Sequence, residues 1–121
     1  MKAMDIIDRV DLMEPNEYSP EQKLRWLSTL DGKIFVDVIL SHEGSKLDAL
    51  PEYVNGDERL LVGAPHGEDL YYYYLQAMIA SENSENARYV KRMTQFNSAY
   101  QDFVNWYNRN HKPKSCGKQF I

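Results

Sequence analysis

At 121 residues the chain is long enough to bury one hydrophobic core and gives no sign of a second. Hydrophobic residues make up 43% and charged residues 26%, with nine tyrosines, four phenylalanines and two tryptophans, which is globular usage and excludes a disordered chain. No apolar run approaches the ~20 residues that cross a bilayer, and Asp5 and Asp8 interrupt the apolar start, so neither a membrane span nor an export signal is expected. The single cysteine, Cys116, cannot form an internal disulfide. The net charge of −4 is uneven: Arg109, Lys112, Lys114 and Lys118 stand in the last fourteen residues with no acid, which leaves −8 on the remainder. We read one domain, 1–121, with a basic tail at 108–121 that is expected to be mobile in isolation, either a solvated end that keeps the chain soluble or a short arm for an acidic partner or a phosphate backbone.

Met4, Ile6, Ile7, Val10 and Met13 recur at helical spacing and predict a short amphipathic helix over 3–13. Pro15, Asn16 and Ser19-Pro20 then break the chain. Ser19 is a good N-cap, Pro20 suits the first helical position, and Gln22 completes the sequence pattern of a capping box. A second helix therefore starts here and runs to 42 or 43, burying Leu24, Leu27, Leu30 or Ile34, and Val38, with Trp26 to one side. Its weak point is Asp31-Gly32, and although the β-branched run that follows would also suit a strand, a continuous or kinked helix is expected.

Residues 44–65 hold three glycines, two prolines and an Asn55-Gly56 pair between apolar flanks, which predicts a projecting loop or a short β-hairpin. Leu70, Tyr71, Tyr74, Leu75, Met78 and Ile79 mark a third helix over 67–82, with Glu68 and Asp69 at the positive end of its dipole. Asn83-Ser84 cap the next boundary. Tyr89, Met93, Phe96, Tyr100, Phe103 and Tyr107 then follow at spacings of three and four. This seam predicts a fourth helix with Met93, Phe96, Tyr100 and Phe103 as its core face. The fold expected is all-α, a small bundle of about four helices in which helices two, three and four share a core.

The search for chemistry is unproductive. His42, His66 and His111 are far apart and cannot form a zinc site with one cysteine. Cys116-Gly117-Lys118-Gln119 lacks the glycines and the hydroxyl of a phosphate loop. His42-Glu43, and Glu68-Asp69 beside His66, are acid/base residue types without a convincing arrangement, and Ser41, Ser45 and Ser84 lie in no nucleophile context. No catalytic residue, metal or cofactor is expected. Asp5, Asp8 and Asp11 read as a solvated face, with Asp5 able to pair with Arg9 one turn on. The four tyrosines at 71–74 sweep about 300° of a helix surface, so they cannot all face one core. Tyr72 and Tyr73 are therefore candidate interface residues, with Tyr53 and Val54 near the tip of the 44–65 loop as a second patch.

Ile6-Ile7-Asp8-Arg9-Val10 with Pro15-Asn16, the run Tyr18 to Leu27, Leu30-Asp31-Gly32-Lys33-Ile34, Leu60-Leu61-Val62, Asp69 to Leu75, Phe96 to Tyr100, and Asn105 to Arg109 are stretches of one pattern. Together they resemble a family of small head-tail connector (adaptor) proteins of tailed bacteriophages and prophages. The resemblance implies a helical bundle with an extended loop, located in the virion or the bacterial host cytoplasm. It also implies a ring of subunits bound to the portal and to one another, extending the DNA channel and lying near DNA without reading it. No small-molecule substrate and no membrane are implied. The alternative is a small helical regulatory or inhibitor protein that acts by binding another protein.

Overall fold

The computed structural model describes residues 2–39, 53 and 55–110. Its elements are α1 (Ala3–Met13), α2 (Pro20–Ile34) continued by a π-helical turn at Phe35–Ile39, α3 (His66–Glu82) and α4 (Asn86–Asn110). The fold is all-α, and among the described residues there is no β-strand, just an isolated bridge between Lys2 and Arg59.

The first helix follows its apolar spacing: Ala3, Ile6, Ile7 and Val10 are buried. Asp5 folds back to accept a hydrogen bond from the Lys2 backbone N–H (2.9 Å), so it caps its own helix instead of pairing with Arg9. At the start of α2, Ser19 Oγ accepts from the Gln22 N–H (3.1 Å) and Pro20 takes the first position, as the sequence requires. The reciprocal half of the capping box is replaced, because Gln22 Oε1 accepts from Arg25 (2.8 Å).

Of the two expected forms, continuous or kinked, α2 takes the continuous one at Asp31-Gly32. The helix runs through both and widens one turn later at Phe35–Ile39. Two forces hold Asp31 helical: its neighbours Leu27, Leu30 and Ile34 are buried, and its own side chain is tied into the core. The widening falls on a segment with Val36, Val38 and Ile39, whose branched side chains crowd the preceding turn of a helix. The predicted stretch beyond Ile39 lies outside the described residues.

The middle segment departs from the expected hairpin or projection over its described part. Residues 55–65 form bends and turns that lie back on the bundle. Glu58 and Gly56 carbonyls accept hydrogen bonds from Ala3 and Met4 N–H groups at 2.9 and 3.0 Å, and Leu60 and Val62 are buried. Asn55-Gly56 does form the tight turn that its sequence announces, with Gly56 at φ +92° against the Met4 side chain. Among the described residues no strand flanks it, and the N-terminus of α1 takes the Gly56 and Glu58 carbonyls. Residues 44–52 and Val54 lie outside the described residues.

Helix α3 is the centre of the bundle, with α4 along one side and α1 and α2 on the other. Leu70, Tyr71, Leu75, Gln76, Ala77, Ile79 and Ala80 are all buried, as befits a helix covered from several directions. Helices α2, α3 and α4 contribute to one core, as expected, with α4 packing chiefly on α3 and α1 completing the other side. The α3 terminus closes with Ser84 at φ 59°, its N–H bonded to the Ser81 carbonyl and the Glu85 N–H to that of Ala80. That is a Schellman motif with serine in the position usually held by glycine.

On α4, Phe96 and Phe103 are buried, whereas Met93 and Tyr100 are half-buried at the margin of the same core. Rings carry the seam: Phe96 stacks on Tyr100 at 5.6 Å and meets Tyr74 of α3 at 5.3 Å. The helix extends to Asn110, so the first three residues assigned to the tail belong to its last turn. Residues 111–121, including Cys116 and the three lysines of the tail, lie outside the described residues.

Candidate interaction site

The central polar feature of the molecule is a buried carboxylate. Asp31 is fully buried on the inward stripe of α2. Its Oδ1 accepts from the Tyr71 hydroxyl of α3 at 2.5 Å. Its Oδ2 accepts from the Tyr53 hydroxyl and from the Leu61 N–H, the latter at 3.1 Å. The Tyr71 hydroxyl in turn accepts from the Val62 N–H (2.9 Å), and the Tyr53 N–H donates to Ser28 Oγ of α2 (2.9 Å). Burial raises the Asp31 pKa above the ordinary aspartate value, against the opposing pull of its three hydrogen bonds. Burial and the adjacent carboxylate also push both tyrosines up, so they stay protonated donors. The arrangement joins α2, α3 and the segment between them. It is a clamp on the middle segment, enclosed on all sides.

This clamp decides the fate of Tyr53. Placed at a loop tip by sequence reasoning, it is 7% exposed, and its hydroxyl is committed to Asp31. It belongs to the core, and burial withdraws it from the candidate interface. Val54 lies outside the described residues.

Tyr71 to Tyr74 divide as their angular sweep requires. Tyr71 is wholly buried, and the other three are half-buried. Tyr74 packs on Phe96. Tyr72 lies under the Arg9 guanidinium, 4.0 Å from the ring centre, and touches Tyr73 at 5.7 Å. Arg9 also donates to the Glu68 carbonyl (3.1 Å), so α1 holds a cation over the aromatic face of α3. Tyr72 and Tyr73 thus remain together on one seam of the bundle, next to a shallow cleft formed by Asp5, Ile6, Arg9, Ala64 and Glu68.

A second surface lies where the N-terminus of α3 meets the end of α4. The 61–65 segment and the last turns of α4 enclose a groove of about 320 Å³, walled by Ile39, Leu61, Val62 and Phe103 with His66, Trp106 and Tyr107. His66 opens α3 and meets Trp106 at 5.2 Å and Phe103 at 6.3 Å, so the histidine is part of an aromatic wall. Beside it, Asp69 and Asp102 border a shallower depression that shares His66 and Pro65 with the groove. Sequence reasoning missed this site because its walls are contributed by segments forty residues apart. The available signal was Trp106 at 39% exposure, one turn from the buried Phe103.

Several other charged side chains are engaged within the fold. Lys23 is buried and reaches Asp11 at 2.5 Å, where Asn16 also donates at 3.0 Å. Asp11 therefore serves a packed contact, unlike the solvated stripe expected for α1. Arg88 and Arg92, the cations at the start of α4, turn to Glu14 at 3.6 and 3.3 Å. Among the described residues no three His, Cys, Asp or Glu side chains converge as a ligand set, and no helix is long and apolar enough to cross a membrane. His42, Ser41, Ser45, His111 and Cys116 lie outside the described residues. Comparison with protein-family models, with curated proteins and with solved structures gives no match for this chain.

Proposed function

We propose that this chain is a virion-assembly protein of a tailed phage or prophage, a head-tail connector subunit that docks on the portal and extends its DNA channel. The observation that carries the reading is the presence of two chemically different surface patches bordering α3. One is the Arg9, Tyr72 and Tyr73 face; the other is the His66, Trp106 and Tyr107 groove. A ring needs heterologous contacts, in which each subunit offers two unlike patches that meet head to tail. The all-α bundle and the family resemblance of the sequence support the same reading. The subunit works by shape and contact, without a cofactor, in the virion or, before assembly, in the host cytoplasm.

The test is to mix the purified chain with the portal ring encoded beside it and examine the product by electron microscopy and light scattering. A cyclic complex is the expected result. Absence of association at high protein concentration and low salt, with a correctly folded portal, overturns the connector reading. In that case the alternative stands, a helical regulator or inhibitor that uses one patch to bind one partner.

A further inference from the structure

The groove beside Trp106 has a composition that selects its occupant. Its floor and walls are apolar and aromatic, from Ile39, Leu61, Val62 and Phe103. Its neighbouring depression carries two exposed carboxylates, Asp69 and Asp102, next to the ring of His66. An apolar trough with acids at its border fits a segment that has an aliphatic or aromatic anchor a few residues from positive charge. It disfavours an acidic segment, since Asp69 and Asp102 would meet like charge.

The sequence contains such a segment after α4. Residues 111–121 read His-Lys-Pro-Lys-Ser-Cys-Gly-Lys-Gln-Phe-Ile, with three lysines, no acid, and Phe120-Ile121 as adjacent apolar side chains. The rest of the chain is strongly acidic, so this segment is the natural electrostatic partner of another copy's body. Eleven residues span up to about 36 Å when extended, which is ample to reach a neighbouring subunit.

We propose that the groove receives residues 111–121 of a second copy, with Phe120 and Ile121 seated against Trp106 and Phe103 and the lysines facing Asp69 and Asp102. This deepens the connector reading, on which it rests, by naming the head-to-tail contact between subunits. It also gives a role to the basic segment.

The single cysteine lies within the segment and supplies the probe. A full-length chain carrying a spin label on Cys116 is mixed with a nitrogen-15-labelled Cys116→Ser chain at about 1 mM, the local concentration that tethering in an assembly imposes. The Trp106 indole signal of the nitrogen-15 chain is expected to broaden away, while that of Trp26, which packs on Tyr18, stays sharp. Broadening should be lost when the spin-labelled chain carries Phe120→Ser and Ile121→Ser, and should weaken with added salt or with Asp69→Asn and Asp102→Asn in the other chain. Circular dichroism confirms that each variant keeps its helices.

No broadening of Trp106 under these conditions overturns the proposal. So does broadening seen solely when label and nitrogen-15 are on the same molecule, which would make the contact internal. The portal experiment separates this result from the parent reading. A cyclic complex formed equally well by the Phe120→Ser, Ile121→Ser chain sinks the tail contact and leaves the connector standing. A tail contact without portal association keeps the contact and removes the connector.

Discussion

Asp31 occupies a place that the leucine pattern of α2 reserves for an apolar side chain, and its charge is accommodated there by Tyr53, Tyr71 and the Leu61 N–H. Asp31→Asn keeps the shape but sets an amide N–H₂ against groups that are themselves donors, and should lower stability by about 2–3 kcal/mol in urea unfolding. The pH dependence has a definite sign. Burial puts the folded pKa above the unfolded one, so between the two the folded state holds more protons. The contribution of Asp31 to stability is therefore greatest in acid and declines as pH rises from about 4 to the folded pKa, with no further change above it. The stability gap between wild type and Asp31→Asn should narrow over that interval. A gap that widens with rising pH would mean that the hydrogen bonds outweigh burial. Gly56 is the other residue whose identity is dictated by its place. At φ +92°, with Met4 where a Cβ would stand, Gly56→Ala should cost on the order of 1–3 kcal/mol, read as a lower thermal midpoint.

Two helices differ in what holds them. The last helix has few propensity advantages and rests on α3 through rings, so Phe96→Ala removes contacts with both Tyr74 and Tyr100. A loss of about 3–5 kcal/mol is expected, and thermal unfolding indistinguishable from wild type would contradict the facing of α4. In α2 the glycine at 32 makes no use of its missing side chain, since no atom lies within 4 Å of where a Cβ would stand. Gly32→Ala should stabilise the protein by about 0.5–1 kcal/mol through helix propensity. A destabilised variant would show that the helix needs to flex just before its π-helical turn.

For the whole molecule, α1 acts as a brace. Its end reaches α2 through Asp11 and Lys23, and the Glu14 that follows it reaches α4 through Arg88 and Arg92. These ion pairs and the Asp31 clamp tie the helices and the middle segment together, a rigidity that a ring subunit, on the connector reading, requires if its two patches are to set a constant angle between neighbours. Tyr73 is half-buried and offers area on one seam without a polar tie to the core network. On the connector reading, Tyr73→Ser should weaken formation of the portal complex by about tenfold, or ~1.4 kcal/mol, with the circular dichroism spectrum unchanged. Full complex formation by this variant would remove that face from the contact.

The sequence by itself determined the local architecture. The spacing of Ile6, Ile7 and Val10, the Ser19-Pro20 start, the tyrosine and phenylalanine seam and the Asn55-Gly56 turn each depend on neighbours within a few residues, so periodicity and backbone preference were enough to read them. Tertiary structure decided everything that depends on which segment comes alongside another. It buried Tyr53 because Asp31 lies opposite, and it held Asp31-Gly32 helical against local preference. It turned Arg88 and Arg92 towards Glu14, and it built a groove from His66 and Trp106. A polar side chain in a sequence carries no mark of the donor or acceptor it will meet; that partner is chosen by packing, when burial makes an unmatched charge or hydroxyl too costly to leave alone.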